Sequence, residues 1–522
     1  MLKVNSKKIE KGDTFIAIKS AVRDGHDYIE DAIDHGAMCI IAERGEYSVK
    51  TIIVKDTRKY LADYLKELYK EKLDRVKLIG ITGTNGKTTS CYFIYQLLNS
   101  LGIKTAYIGT IGFYLNDKCT PLKNTTPDLY DLYEMIIEAV NNEVEVIAME
   151  VSSQALDMRR VEGIKFNIVA FTNITEDHLD YHKTMNDYKE AKQKLFNHIK
   201  EYAIINMDSK DGKDFINKKN TNILFGVKDY DYKIGSIKLY DNKTIFKVIH
   251  DDKIREITLP VPGIYNIHNY MNAYIICEKM GLNMDTVIQN TLKLKSPKGR
   301  YELIKNKVIV DYAHTPDAVE NIIKSVLQYS KGRVITLIGC GGDRDKKKRP
   351  LIGKIATKYS NYVYFTNDNP RTENPNEIIN DMIKKIEKDN YEIILEREDA
   401  IKKAINELKN NDILLVLGKG HENYQIIGKE KFPFNDTEIV KKYLSGNYGF
   451  QLLADEYHIS STVIIRGWVE NYLQHGEKGL CTTCGTYSGE FKVSVVEYKK
   501  ETGASLVKTA AHFNIPSKET VR

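Results

Sequence analysis

Apolar residues in this chain gather into short runs separated by polar and glycine-rich punctuation, and most of these runs read as buried strands. The first, Thr14-Phe15-Ile16-Ala17-Ile18, follows the turn Lys11-Gly12-Asp13. The spacing predicts a helix from Asp24-Gly25-His26-Asp27-Tyr28-Ile29 to near Gly36, then a strand over 38–42. A run over 76–81, broken by Lys77 and Gly80, is a buried strand, and helical sequence follows Thr88. Strands are expected at 144–149 and 169–173, and Glu190-Ala191-Lys192-Gln193-Lys194 begins an ordinary helix. From about 298, the runs 308–310, 334–338, 362–366 and 413–417 alternate with helical stretches. That alternation predicts a doubly wound parallel sheet with ligands at the strand carboxyl ends. A turn-rich hinge, Ser296-Pro297-Lys298-Gly299-Arg300, separates it from what precedes. The expected units are 1–73, 74–296, 297–444 and a tail over 445–522.

Composition narrows the class. The 522 residues suffice for three or four domains, with hydrophobic and charged content ordinary for a soluble chain. A net charge of +6 suits phosphorylated substrates without demanding nucleic acid. The seven cysteines (39, 91, 119, 277, 340, 481, 484) are scattered, mostly in apolar runs, and read as reduced core thiols. No 18-residue apolar run and no signal peptide is visible, so a cytoplasmic protein is expected.

The candidate chemistry centres on Thr82-Gly83-Thr84-Asn85-Gly86-Lys87-Thr88-Thr89, between the strand at 76–81 and its helix. Glycines at 83 and 86 let backbone N–H groups turn toward a phosphate, Lys87 adds a cation, and Thr88 is placed to ligate Mg²⁺. The strict G-x-x-x-x-G-K-[ST] spacing fails, since Ile81 stands where the first glycine belongs. ATP is nevertheless the expected ligand. Glu150, at the end of a core strand, reads as a direct or indirect Mg²⁺ ligand, or as a merely solvated strand end. His178 and His182 are spaced i, i+4 but lack the third soft ligand zinc wants. On its own Lys192 reads as a surface lysine. Gly341-Gly342 alone is a weak dinucleotide hint.

The variant phosphate loop resembles that of the Mur ligase family, which joins amino acids to a nucleotide-linked peptide. The resemblance implies an α/β, three-domain architecture. It comprises a small α/β substrate domain, a central P-loop ATPase-like domain and a Rossmann-like C-terminal domain. It implies ATP contacts from Gly83, Thr84, Asn85, Gly86, Lys87, Thr88 and Thr89. Gly263-Ile264-Tyr265-Asn266-Ile267-His268-Asn269 resembles the family's adenine-contacting helix start, so Asn266 and Asn269 join the set, as do Arg300 and Asp311. It makes His178 a Mg²⁺ ligand beside Thr88 and Glu150. It also makes Lys192 a carbamate, whose oxygens suit Mg²⁺ as an ammonium cannot. Lys87, Lys192, His178 and Glu150 are then the catalytic set.

For the nucleotide-linked substrate, Asn5-Ser6-Lys7 stands where the family usually has Asp-Ser-Arg, leaving Ser6 as candidate. Asn124, Thr125, Thr126, Ser152 and Arg160 match substrate positions, whereas Met158 replaces a frequent Gln. Four strand-end loops (311–316, 341–345, 368–371 and 418–422) resemble the amino-acid site of members that add meso-diaminopimelate. That resemblance assigns Arg344, Asp368, Asn369, Pro370, Arg371, Gly418 and Glu422 to this site. The implied substrates are ATP, a UDP-N-acetylmuramoyl dipeptide and diaminopimelate, with no membrane, and a monomer is expected. Another member, adding lysine or a different amino acid, would keep the ATP site and change the loops.

The tail departs from the family. Residues 453–468 read as helix, tight turn, helix, with a weaker copy over 510–522. Such paired units resemble the DNA-binding part of insertion-element transposases, and a short all-α remnant is expected. A DNA-binding fusion protein with an inactive ligase body is the non-enzyme alternative. Eight Lys/Arg against eight Asp/Glu in 445–522 leave no basic surplus for phosphate backbones, which argues against DNA binding. Cys481-Thr482-Thr483-Cys484 lacks a second pair, so zinc is not expected there.

Overall fold

The computed structural model describes residues 1–19, 23–116, 118–305, 307–444, 467–468, 489–502, 506–513, 515 and 521. Apolar runs with few charges must be buried on both faces, and here they form mostly parallel sheets. Lys77–Thr82 is an inner strand of an eleven-stranded sheet. Val146–Glu150 and then Thr105–Gly109 lie parallel on one side of it, Phe166–Phe171 and Ile199–Asn206 on the other. With neighbours departing in both directions, a crevice opens beyond its carboxyl end. Helices Lys87–Ser100 and Ile264–Lys279 cover one face, and Leu129–Asn141 covers the other.

The third region has a six-stranded sheet. Its parallel strands Val308–Asp311, Ile413–Leu417, Val334–Ile338, Tyr362–Phe365 and Tyr391–Ile393 lie in that spatial order, with Glu302–Ile304 antiparallel at the edge. All four predicted apolar runs of this region are strands, and their following loops share one end of the sheet. Arg397, fully buried, ties that end together. It donates to Leu417 O at 2.9 Å and grips Asp436 through Nε and Nη2, at 2.8 and 2.7 Å.

The first region is a four-stranded parallel sheet of Leu2–Lys3, Thr14–Ile16, Cys39–Ala42 and Lys50–Ile53. Two ion pairs fasten it to the central sheet. Arg58 reaches Asp128 at 2.7 Å, and Asp56 accepts from Arg159 at 2.6 Å.

Some predicted boundaries move. The helix expected to begin at Glu190 begins at Met185, where Thr184 accepts from the Asp187 N–H. Lys192 therefore lies in its last turn. The strand expected at 169–173 starts earlier, at Phe166, whose ring is buried. Between Asp24 and Gly36 a 3₁₀ turn, Gly25–Tyr28, precedes the helix Ile29–Asp34.

Residues 1–437 form one compact unit and 438–522 another. In the second unit, helices Gly489–Thr502 and Leu506–His512 meet through Val495, Ala510 and Ile515. Most of the expected first helix-turn-helix copy, and Cys481 and Cys484, lie outside the described residues. No helix among the described residues is long and apolar enough to cross a membrane.

Candidate active site

The phosphate loop is held by the strand beside it. The N–H groups of Thr84 and Asn85 donate to the Asn173 carbonyl and side chain, at 2.8 and 2.9 Å. Thr172 Oγ1 donates to Asn85 O at 2.6 Å. Gly86 precedes the helix Lys87–Ser100 in a left-handed conformation (φ 88°). A Cβ there would lie 2.2 Å from Asn269 Oδ1, so no larger residue fits. The loop thereby brings the helix N-terminus against the candidate adenine side.

Two lysines converge on one carbonyl. Lys87 Nζ donates to Gly83 O and Thr84 O at 2.8 and 2.9 Å, and Lys192 Nζ donates to Gly83 O at 2.8 Å. Lys192 is 1 % exposed, which overturns the surface reading its sequence gave alone. Burial, with Lys87 beside it, pushes the Lys192 amine far below its ordinary value despite Asp177. Lys87 is also lowered by burial, with Glu150 and Asp177 opposing.

Glu150 is a buried oxygen centre. It accepts from Thr88 Oγ1 (3.0 Å), Thr110 N (2.8 Å), Thr110 Oγ1 (3.0 Å) and Tyr107 OH. It is no solvated strand end. Arg300 Nη2 reaches Thr88 Oγ1 at 3.4 Å, and its guanidinium lies over the Tyr312 ring. Asp311 accepts the Tyr301 and Ala313 N–H groups, both at 2.7 Å. Burial raises its pKa against Arg300 and those bonds.

His178, itself left-handed at φ 55°, points its Nε2 toward Asp177 at 3.6 Å. His182 instead bonds Ser153 Oγ at 2.9 Å, so the i, i+4 pair does not converge. Among the described residues no three His, Cys, Asp or Glu groups form a ready cation site. Thr88 Oγ1 and Glu150 are nevertheless the hard oxygen donors that Mg²⁺ prefers, and they adjoin the phosphate loop. Asp177 gathers charge from both sheets, lying 3.9 Å from His314 Nε2 and from Lys348 Nζ. Burial would raise its carboxyl, yet His178, His314 and Lys348 hold it at about 2. Burial and Lys348 push His314 down to about 4.

A cleft of about 730 Å³ runs from this loop to the third sheet. Its walls include Thr84 to Thr89 residue by residue, Asn124, Thr125, Glu150, Ser152, Arg160, His178, Asn266, Asn269, Arg300 and Asp311. At its other end are Arg344, Asp368, Asn369, Arg371, Gly418 and Glu422. Gly83, Thr126, Lys192 and Pro370 are not part of this lining, nor is Ser6, which is buried in the first sheet's region. Thr126 Oγ1 donates to Glu150 O, and its carbonyl accepts from Arg160 Nη1 at 3.0 Å. The Met158 sulfur accepts from the same guanidinium at 3.4 Å.

Lys419, fully buried, donates to Asn369 Oδ1 at 3.0 Å and to Glu422 Oε2 at 3.3 Å. Burial and nearby Asp368 raise the Glu422 carboxyl against Lys419. The hairpin Tyr424–Ile427 and Glu430–Pro433 pins both sides of the Arg371 backbone. Arg371 N donates to Ile426 O at 3.1 Å, and Gly428 N donates to Arg371 O at 2.8 Å. Sequence reasoning missed this hairpin, Thr110, Asp177 and Lys348. Asp177 and Lys348 adjoin recognised motifs, whereas nothing local marks Thr110.

Comparison with known proteins bears on this geometry. The sequence matches family models of the Mur ligase catalytic domain over residues 1–80, the Mur ligase middle domain over 81–277 and the glutamate ligase domain over 299–420. It is 38 % identical over 460 residues to the UDP-N-acetylmuramoyl-L-alanyl-D-glutamate--2,6-diaminopimelate ligase of Bacillus cereus, covering 85 % of this chain and 94 % of that protein. The enzyme of the same name from Clostridium perfringens is 40 % identical over 461 residues, covering 85 % and 95 %. A solved structure of a ligase of that name superposes with TM-score 0.64 at 30 % identity, covering 86 % of this chain and 95 % of that one. The MurF ligase of Thermotoga maritima in complex with ADP, 21 % identical, shares the fold at TM-score 0.60, covering 85 % and 98 %.

The fit at Gly86 gives a direct test. Gly86→Ala meets both a left-handed backbone and the Asn269 side chain, so nucleotide affinity should fall about tenfold or more, with about 1–2 kcal/mol lost in stability. Titration with a fluorescent ATP analogue reads the first and thermal melting the second; unchanged affinity would contradict this loop geometry.

Proposed function

The chain belongs to the Mur ligase family, and we infer that it is its ATP-dependent diaminopimelate-adding member. It joins 2,6-diaminopimelate to UDP-N-acetylmuramoyl-L-alanyl-D-glutamate, a step of peptidoglycan precursor synthesis. One observation supports the residue assignment most: a single cleft has the phosphate loop at one end and Arg344 with Arg371 at the other. Substrates of this kind, a nucleotide-linked precursor and ATP, belong to the cytoplasm.

In the reading we favour, ATP lies along Gly83 to Thr89 residue by residue, with Asn266 and Asn269 toward adenine and Arg300 and Asp311 reaching in from the third sheet. Lys87 leaves the carbonyls of Gly83 and Thr84 and turns to the phosphates. The substrate carboxylate, held near Asn124, Thr125, Ser152 and Arg160, takes the γ-phosphoryl group to give an acyl phosphate. The amine of diaminopimelate then forms the C–N bond as the C–O bond to phosphate breaks, and the amine's proton is lost. No side-chain nucleophile is needed, so positioning and electrostatics carry the catalysis. Thr88, Glu150, His178 and a carbamylated Lys192 would hold Mg²⁺, which when bound neutralises phosphate charge.

Carbamylation of Lys192 fits its surroundings. CO₂ adds only to a neutral amine, and burial, with Lys87 beside it, lowers the Lys192 amine well below its ordinary value, which favours that form. The resulting anion would set an opposite charge beside Lys87. For the tail we propose a helix-turn-helix remnant outside the catalytic work, a reading that rests on the sequence repeat.

Three measurements test these readings. Lys192→Ala should lose nearly all ligation and regain part of it with added formate or acetate; full activity without rescue would return Lys192 to a structural role. The amino-acid reading predicts that wild type prefers diaminopimelate over lysine, which lacks the far carboxylate. Arg371→Ala should reduce that preference about tenfold to a hundredfold, the worth of a charge-assisted pair, in competition assays. An unchanged ratio would sink it. A chain ending at residue 444 should ligate as fast as the whole; if it folds yet fails to turn over, the tail is part of the enzyme.

A further inference from the structure

The two loops that carry Arg344 and Arg371 are closed on each other by a pair that no motif used so far includes. Arg349, on the helix Lys348–Tyr359, is a fully buried arginine. Its Nη1 and Nη2 donate to Glu373 Oε2 and Oε1 at 2.9 and 2.8 Å, a two-pronged grip on one carboxylate. Nη2 also reaches Gly341 O at 3.3 Å, and Nη1 reaches Asp381 Oδ2 at 3.0 Å. Glu373 accepts the Asp343 N–H at 2.6 Å and pairs with Lys346 at 3.0 Å. Thus Glu373, two residues after Arg371, holds the backbone next to Arg344.

The rest of the seam agrees. Gly342 N donates to Asn369 O at 2.9 Å, Arg371 Nη1 donates to Gly342 O at 2.7 Å, and Thr372 Oγ1 donates to Asp343 Oδ1 at 2.8 Å. A Cβ on Gly342 would sit 1.9 Å from Pro370 O, so the glycine is required by this approach, and Gly341-Gly342 is no dinucleotide signature here. Arg349 and lesser contributions hold the Glu373 carboxyl down at about 2, so the grip is ionised across the working range.

We propose that Arg349 and Glu373 are positioning residues for amino-acid selection, setting the spacing between Arg344 and Arg371 that the far carboxylate of diaminopimelate requires. This rests on the reading of Arg371 as the group that meets that carboxylate. Neither Arg349 nor Glu373 lines the cleft that holds Arg371, although Glu373 borders a neighbouring cavity of about 440 Å³ with Arg344. A misplacement of about 1 Å costs up to about a hundredfold in such sites.

Steady-state kinetics on the full chain, with ATP, UDP-dipeptide and either diaminopimelate or lysine, tests it. Glu373→Gln keeps the shape of the side chain but weakens the grip. It should raise KM for diaminopimelate about tenfold while KM for ATP stays within about twofold, and lower the preference over lysine. Arg349→Lys, which keeps charge but not the fork, should fall between wild type and Arg349→Met, by the same readout. Glu373→Gln combined with Arg371→Ala should select no worse than Arg371→Ala alone. Two outcomes overturn the proposal: an unchanged diaminopimelate KM in both Glu373→Gln and Arg349→Lys, or additive losses in the double variant. If Arg371→Ala itself leaves selection unchanged, the reading of Arg371 has failed and the proposal falls with it. A purely structural pair would instead raise no single KM and would depress melting temperature and kcat with both amino acids alike.

Discussion

Two lysine amines share the carbonyl of Gly83, and charging both at once is the conflict the surrounding site must limit. Like charges in a buried site raise each other's free energy, and a single carbonyl dipole cannot offset both. The site eases part of it because burial disfavours the charged form of Lys192, and because the charges of Glu150 and Asp177 face Lys87. A nucleotide polyphosphate resolves the remainder, because its charge lies where Lys87 has only carbonyls to bond. The cleft beside Lys87 is therefore suited to an anion. The loop keeps this geometry because Thr172 and Asn173, just past the strand Phe166–Phe171, satisfy its backbone, and because Gly86 takes the left-handed turn.

Much of this was legible in the sequence. Continuous apolar runs can only be two-sided strands, and each one read that way in the third region is a strand. The phosphate loop was visible because its glycines, lysine and threonine do their chemistry through local backbone geometry. Lys192 was misread as a bare residue because burial depends on what packs over a helix, here the loop about a hundred positions earlier. Thr110 follows a strand with no motif around it, yet it donates twice to Glu150. The Asp177 cluster with His314 and Lys348 joins three segments far apart in sequence. Pairings of that kind leave no periodic trace for a linear reading to find.

The first region illustrates how the sheets are tied to one another. Arg58 crosses from its helix to Asp128, the residue that opens the helix after Thr125 and Thr126. Thr125 in turn meets Thr110, which meets Glu150. One line of hydrogen bonds and a salt bridge thus leads from the small sheet to the buried carboxylate beside the phosphate loop. Arg159 and Asp56 repeat the fastening a short way off.

The close approach of Gly342 to Pro370 also bears on how selectivity diverges among related ligases. Because no side chain fits between them, neither loop accepts insertions or bulkier residues at the seam without displacing the other. Change at the far end of the amino-acid pocket is therefore concerted. A lineage that abandons the second carboxylate must replace both loops, or must lose the arginine while leaving the seam as it stands.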